Sequence, residues 1–178
     1  MRFPFLLAPL LACLAPPAGA TTLVKMDLPA LSRAADVVVR ARVAGVSSRW
    51  SRDGRRILTD VQLRVLERIS GECADTLQLV QPGGEVGDLG QKVDGVPPFA
   101  PGEEAVLFLE RQGRVHALVG LAQGKWTVDR AATVVQAVPA RVGARVVEAG
   151  TGREAAPPPA VPLDGLVRQV RAARGTAK

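Results

Sequence analysis

The sequence predicts a mainly β fold, a small barrel with a short N-terminal helix and a short C-terminal helix. Three observations carry this expectation. Residues 37–45 and 57–69 alternate apolar and polar side chains with a period of two, the mark of strands with one buried face. Between them stands Asp53-Gly54, a pair that tolerates positive φ and favours a hairpin. Helical spacing of apolar residues is confined to two short stretches near the ends.

Taken in order, residues 27–36 (DLPALSRAAD) predict the first helix. Asp27 can cap it, Pro29 suits its first turn, and Leu28, Leu31 and Ala35 share a face. Val37, Val39, Ala41 and Val43 then form the buried set of a strand, with Gly45 marking a bend or bulge. Ser51-Arg52-Asp53-Gly54-Arg55 turns the chain. Ile57, Thr59, Val61, Leu63 and Val65 line one face of the return strand, and strands this long suit a small barrel.

Residues 77–81 predict a third strand. Residues 82–102 are rich in Gly and Pro, so turns rather than a ladder are expected to set their path. The run AVLFLE at 105–110 is apolar enough for a central strand, and 115–121 returns after Gln112-Gly113. Further strands are expected at 126–128, 134–138 and, more weakly, 141–148. Pro157-Pro158-Pro159 with Pro162 reads as a stiff spacer. Leu163, Leu166, Val167 and Val170 then share one face of a closing helix, with Arg168, Arg171 and Arg174 on another. The expected organisation is a signal peptide at 1–20, a β-barrel domain at 21–150, a Pro-rich linker at 151–162, and an amphipathic helix with a tail at 163–178.

The first twenty residues read as an export signal. Met1-Arg2 is positive, 3–14 is apolar, and Ala18-Gly19-Ala20 supplies small residues for cleavage before Thr21. The apolar run is shorter than the roughly 20 residues of a membrane span. Leu10-Leu11-Ala12-Cys13 resembles a bacterial lipobox, the competing route, which would tether the protein at Cys13. The expected location is therefore periplasmic or extracellular, with membrane attachment only if Cys13 is lipidated. Cleavage before Thr21 leaves Cys73 as a single cysteine, which cannot form an internal disulfide.

Lys and Arg total 23 against 17 Asp and Glu, a formal charge of +6. For an exported chain this points to envelope anions rather than intracellular nucleic acid. The acids are interspersed with the bases, so plain solubility explains the balance equally well.

No catalytic constellation is evident, and no cofactor or metal is expected. His116, the sole histidine, falls at the outward phase of its strand, opposite Val115, Ala117 and Val119. One His and one Cys make no zinc site. The glycines at 83–90 lack dinucleotide-binding spacing, and Gly120 to Trp126 lacks that of a phosphate loop. Glu103 and Glu104 are neighbours on a strand and face opposite sides.

Two clusters could bind a ligand. The first is the hairpin tip, Arg49, Trp50, Arg52, Arg55 and Arg56, where guanidinium forks suit phosphate or carboxylate and the indole offers a stacking face. The second joins the 83–99 loop, with Gly84, Glu85 and Phe99, to Gln123, Lys125 and Trp126. A solvated tip and a barrel plug are the respective alternatives.

The order of elements carries a resemblance. Ala35-Asp36 before Val37-Val38-Val39, the hairpin, Leu66-Glu67 near Ser70-Gly71, and Phe99-x-x-Gly102-Glu103-Glu104 before 105–109 resemble the OB-type barrel of the tissue-inhibitor-of-metalloproteinases and netrin-module superfamily. The strings GGEVG and GLAQGKW resemble those of uncharacterised secreted bacterial proteins. The resemblance implies an OB-like barrel that binds through one sheet face and its loops. Members of the superfamily that inhibit metalloproteinases insert an N-terminal cysteine into the protease zinc site. Here Thr21 stands at the expected mature end, and the family's disulfides are absent. The sequence thus leads to an exported, non-catalytic binding or protein-interaction domain, its partner a protein or an anionic polymer of the cell envelope. A secreted-protease inhibitor or an exported enzyme with another kind of site are the competing expectations.

Overall fold

The computed structural model describes residues 21–175. The expected signal peptide, the Cys13 motif and the last three residues lie outside the described residues. The chain runs through β1 (Thr22–Val24), α1 (Leu28–Ala34), β2 (Val37–Trp50), β3 (Ile57–Ser70), β4 (Thr76–Pro82), β5 (Gly84–Val86) and β6 (Leu89–Gln91). It continues through β7 (Glu104–Gln112), β8 (Val115–Leu118), a 3-10 turn (Leu121–Gly124), β9 (Lys125–Asp129), β10 (Gln136–Pro139), β11 (Arg145–Val147), β12 (Val161–Pro162) and α2 (Leu163–Gly175). The fold is mainly β with a short helix towards each end.

Five strands close into a ring, β7-β2-β3-β4-β8 and back to β7. All pairings are antiparallel except β4 with β8, which meet in parallel at Leu79 and His116. The sheet is thus closed like a small barrel. β2 and β3 are 14 residues each, long enough to coil around it. Register shifts in β2 between Val38 and Val39, Arg40 and Ala41, and Val43 and Gly45 supply the bends that closure needs.

The far edge of β7 is shared. Its end, Leu109 to Gln112, pairs with β8, while Ala105 to Leu107 pair with β9. The chain leaves β8 between the two, where the Val119 amide donates to the Phe108 carbonyl at 2.9 Å. β9, β10 and β12 thereby extend the sheet outside the ring.

The sheet buries both faces, so there are two apolar cores. Val39, Ala41, Val43, Val61, Leu63, Leu79, Leu107 and Leu109 fill the barrel. Val38, Val106, Phe108, Trp126 and Val128 face outward and are covered by Leu31 of α1, by Ala35 just after it, and by Leu166, Val167 and Val170 of α2. The AVLFL run at 105–109 is apolar throughout because β7 has no wet face in this stretch.

Asp27 caps α1, its Oδ1 accepting from the Ala30 amide at 2.7 Å. The stretch before α2 ends in β12, which pairs with β10, and α2 packs against the outer core. Two local expectations are corrected. The 82–102 loop contains a two-stranded ladder, β5–β6, where turns alone were expected. The 115–121 strand stops at Leu118 and becomes a 3-10 turn, because Gly120 takes a left-handed φ of 63°.

Candidate functional site

The arginine hairpin is a rigid tip. Trp50 pairs with Ile57, leaving residues 51–56 as the loop. The Ser51 hydroxyl donates to Asp53 at 2.6 Å and accepts from the Arg56 amide at 3.0 Å, and Gly54 takes a φ of 66°. The Ser51 hydroxyl and the Arg55 amide hold the Asp53 carboxyl below its ordinary pKa. Arg49 is committed, its Nε donating to Asp60 at 2.5 Å. Arg52, Arg55 and Arg56 are exposed and form no ion pair among the described residues. Trp50 is 41% exposed, unusual for an indole.

The β5–β6 ribbon is fastened behind this tip. The Gly83 amide donates to the Ile57 carbonyl at 2.8 Å, and Thr59 Oγ1 donates to the Gly83 carbonyl at 2.7 Å. The Ile57 amide donates to Gln91 Oε1 at 2.7 Å. Gly84 is required here, since at φ 129° a Cβ would collide with the Ser48 and Thr59 hydroxyls. Glu85 is exposed on the ribbon, with no ion pair to the tip arginines among the described residues.

The second sequence cluster is therefore divided. Gly84 and Glu85 belong with the hairpin, whereas Phe99, Gln123, Lys125 and Trp126 gather around β9, beside the opposite half of β2. Neighbours on β9 face opposite sides. Lys125 Nζ lies 2.7 Å from Glu103 Oε1 and 4.2 Å from the Phe99 ring centroid, and it donates to the Pro98 carbonyl. Thr127 Oγ1 donates to the same Glu103 oxygen at 2.9 Å. Burial pulls the Lys125 ammonium below its ordinary pKa, against the opposing hydrogen bond and charge of Glu103. Lys125, Glu103 and Thr127 are partnered with one another and with Pro98, so they fasten the 97–103 strap to β9.

Trp126 points the other way, into the outer core, where its Nε1 is buried without an acceptor among the described residues. Gln123 is a clamp. Its Oε1 accepts from the Met26 amide at 2.8 Å and its Nε2 donates to the Val24 carbonyl at 3.0 Å. Between them, α1 and β10–β11 lies a cavity of about 410 Å³, which sequence reasoning did not reveal.

His116 is corrected. It is 7% exposed, in phase with the buried Leu118 rather than outward. The three apolar residues around it misled the phase, because Val119 has left the strand for the outer core. Neither ring nitrogen makes a hydrogen bond among the described residues. Burial holds its pKa below the ordinary value, and the charge of Arg111 adds to this; the Gln78 backbone and Asp36 act in the opposite direction.

Sequence reasoning also missed an arginine network on the outer sheet. Glu104 accepts from Arg130 at 2.8 Å, Arg40 at 3.2 Å and Arg42 at 3.4 Å, and Arg40 and Arg171 share Glu67. Burial alone would raise the Glu104 carboxyl, but the hydrogen bond and charge of Arg130, with those of Arg40 and Arg42, bring it below its ordinary pKa. Among the described residues, no group of three His, Cys, Asp or Glu side chains is placed to hold a metal, and no helix is long and apolar enough to cross a membrane. Comparison with protein-family models, curated proteins and solved structures finds no match to this chain.

Proposed function

We propose that this chain is an exported, non-catalytic binding domain whose arginine hairpin engages an anionic polymer of the cell envelope. One observation carries the reading. Arg52, Arg55 and Arg56 project from a rigid tip without an ion pair at contact distance among the described residues, Arg56 sensing only the charge of Asp53 in the same turn, while Arg49 beside them is held by Asp60. Arginines free of internal pairs keep their forks for phosphate, sulfate or carboxylate. The exposed Trp50 adds an apolar face beside them. The ladder and the ribbon fix the tip, so little ordering remains for the ligand to impose.

The five-strand ring supports kinship in fold with the OB-type barrels that the sequence resembles, and a loop at a barrel rim is where such folds commonly bind. Export rests on residues 1–20, and mass spectrometry of the mature N-terminus distinguishes Thr21 from lipidated Cys13.

The test is retention of the purified protein on heparin-agarose. The parent should be retained, and the triple variant Arg52→Glu, Arg55→Glu, Arg56→Glu should not, with its melting temperature unchanged. Equal retention of the two would dispose of the hairpin as the site.

A further inference from the structure

We infer that the cavity between α1 and β9–β11 is a binding site for one small, uncharged, apolar molecule. Its volume of about 410 Å³ falls in the range of roughly 300–1,000 Å³ typical of small-molecule sites. Met26, Leu28, Leu31, Trp126, Val142 and Ala156 are among the apolar residues that line it.

The polar groups left over decide the ligand's chemistry. The Gln123 amide is spent on Met26 and Val24, Asp27 on the Ala30 amide, and Lys25 on Glu148 at 2.8 Å. What remains of the wall is largely hydrocarbon, apart from the Trp126 indole N–H, a neutral donor without an acceptor among the described residues. Arg141 and Glu154 also line the cavity, and their opposite charges favour neither an anion nor a cation. A charged ligand would lose its hydration with no dedicated partner to replace it, so an uncharged one is selected.

The shape is also preset. Pro139, Pro157 and Pro158 stand in the lining with fixed φ, and the Asp27 cap and Gln123 clamp hold α1 in place. A preformed apolar site binds without a large ordering cost. The other large depressions differ, since one is edged by Arg64, Asp75 and Arg114 and another by the Lys125–Glu103 pair.

The test uses a Trp50→Phe protein, in which Trp126 is the sole tryptophan. Trp50 lies on the hairpin, so this change leaves the cavity lining intact. Titration with N-phenyl-1-naphthylamine should quench Trp126 emission and saturate at one probe per chain. Ala156→Phe, at an exposed position, should weaken the probe's affinity at least tenfold with an unchanged melting temperature. Val142→Phe should do the same, so the outcome does not depend on one variant folding. The hairpin triple variant should bind the probe as its parent does, which separates this inference from the polymer proposal. Non-saturating quenching, or equal affinity in parent and both filled variants, would overturn it. So would self-association that the filled variants abolish, which would make the cavity a contact between copies.

Discussion

Lys125 Nζ lies 2.7 Å from Glu103 Oε1, with side-chain exposures of 4% and 16%. A pair so withdrawn from water is costly to break, because removing one partner strands the other's charge. Glu103→Gln leaves the buried Lys125 ammonium without a counter-charge, facing only the neutral Gln amide, the Pro98 carbonyl and the Phe99 ring. The expected loss is on the order of 3 kcal/mol, read from urea unfolding. Lys125→Met combined with Glu103→Gln should cost clearly less than the two single changes summed. Additivity within about 0.5 kcal/mol would mean the two side chains do not interact.

His116 makes stability pH-dependent. In the unfolded chain it takes up a proton near its ordinary value of about 6.5. In the folded barrel burial lowers that value. Between the two, the unfolded state binds more protons, so stability rises with pH there. It should be level above about pH 7 with respect to this group and decline as pH drops below about 6.5. His116→Leu removes the buried titratable ring. It should flatten that part of the profile without lowering stability at neutral pH. An unchanged slope in chemical denaturation between pH 5 and 7 would assign the dependence to other groups.

The sequence makes much of the barrel legible for a local reason. In β2 and β3 the alternation of buried and exposed residues runs long enough to fix face and partner together. The grouping of the hairpin arginines is legible as well, because they lie close together in the chain. What stayed hidden depends on contacts between distant segments. β1 is three residues long and pairs in parallel with β11 more than a hundred residues away, so no local pattern marks it. Gly84 parts from Lys125 because the Gly83 amide and carbonyl tie that segment to Ile57 and Thr59 of β3. The cavity draws its lining from segments across the chain, from Met26 to Pro158, none of which is unusual alone.

α2 is integral to the fold. Leu166 and Val170 are fully buried against the outer face of the sheet. Leu166→Ala should cost about 2–5 kcal/mol, the range for emptying a buried leucine site. Deleting residues 163–178 should uncover Val38, Val106 and Phe108 and yield a protein that binds anilinonaphthalene sulfonate or aggregates. A truncated chain with the parent's melting temperature would show α2 to be dispensable.

If the hairpin engages a polyanion, salt should expose it, and unequally by residue. Each guanidinium that neutralises a polymer charge releases condensed counterions, so the logarithm of affinity falls linearly with the logarithm of salt concentration. Arg52→Gln, Arg55→Gln and Arg56→Gln should each reduce the steepness of that line by about one. Arg49→Gln should change it little, since Asp60 already neutralises Arg49. Trp50→Ala carries no charge change and should lower affinity while leaving the slope in place. Calorimetric titration with a heparin fragment at several salt concentrations measures all five. A slope insensitive to Arg52, Arg55 and Arg56, or one moved most by Arg49, would place the binding surface elsewhere.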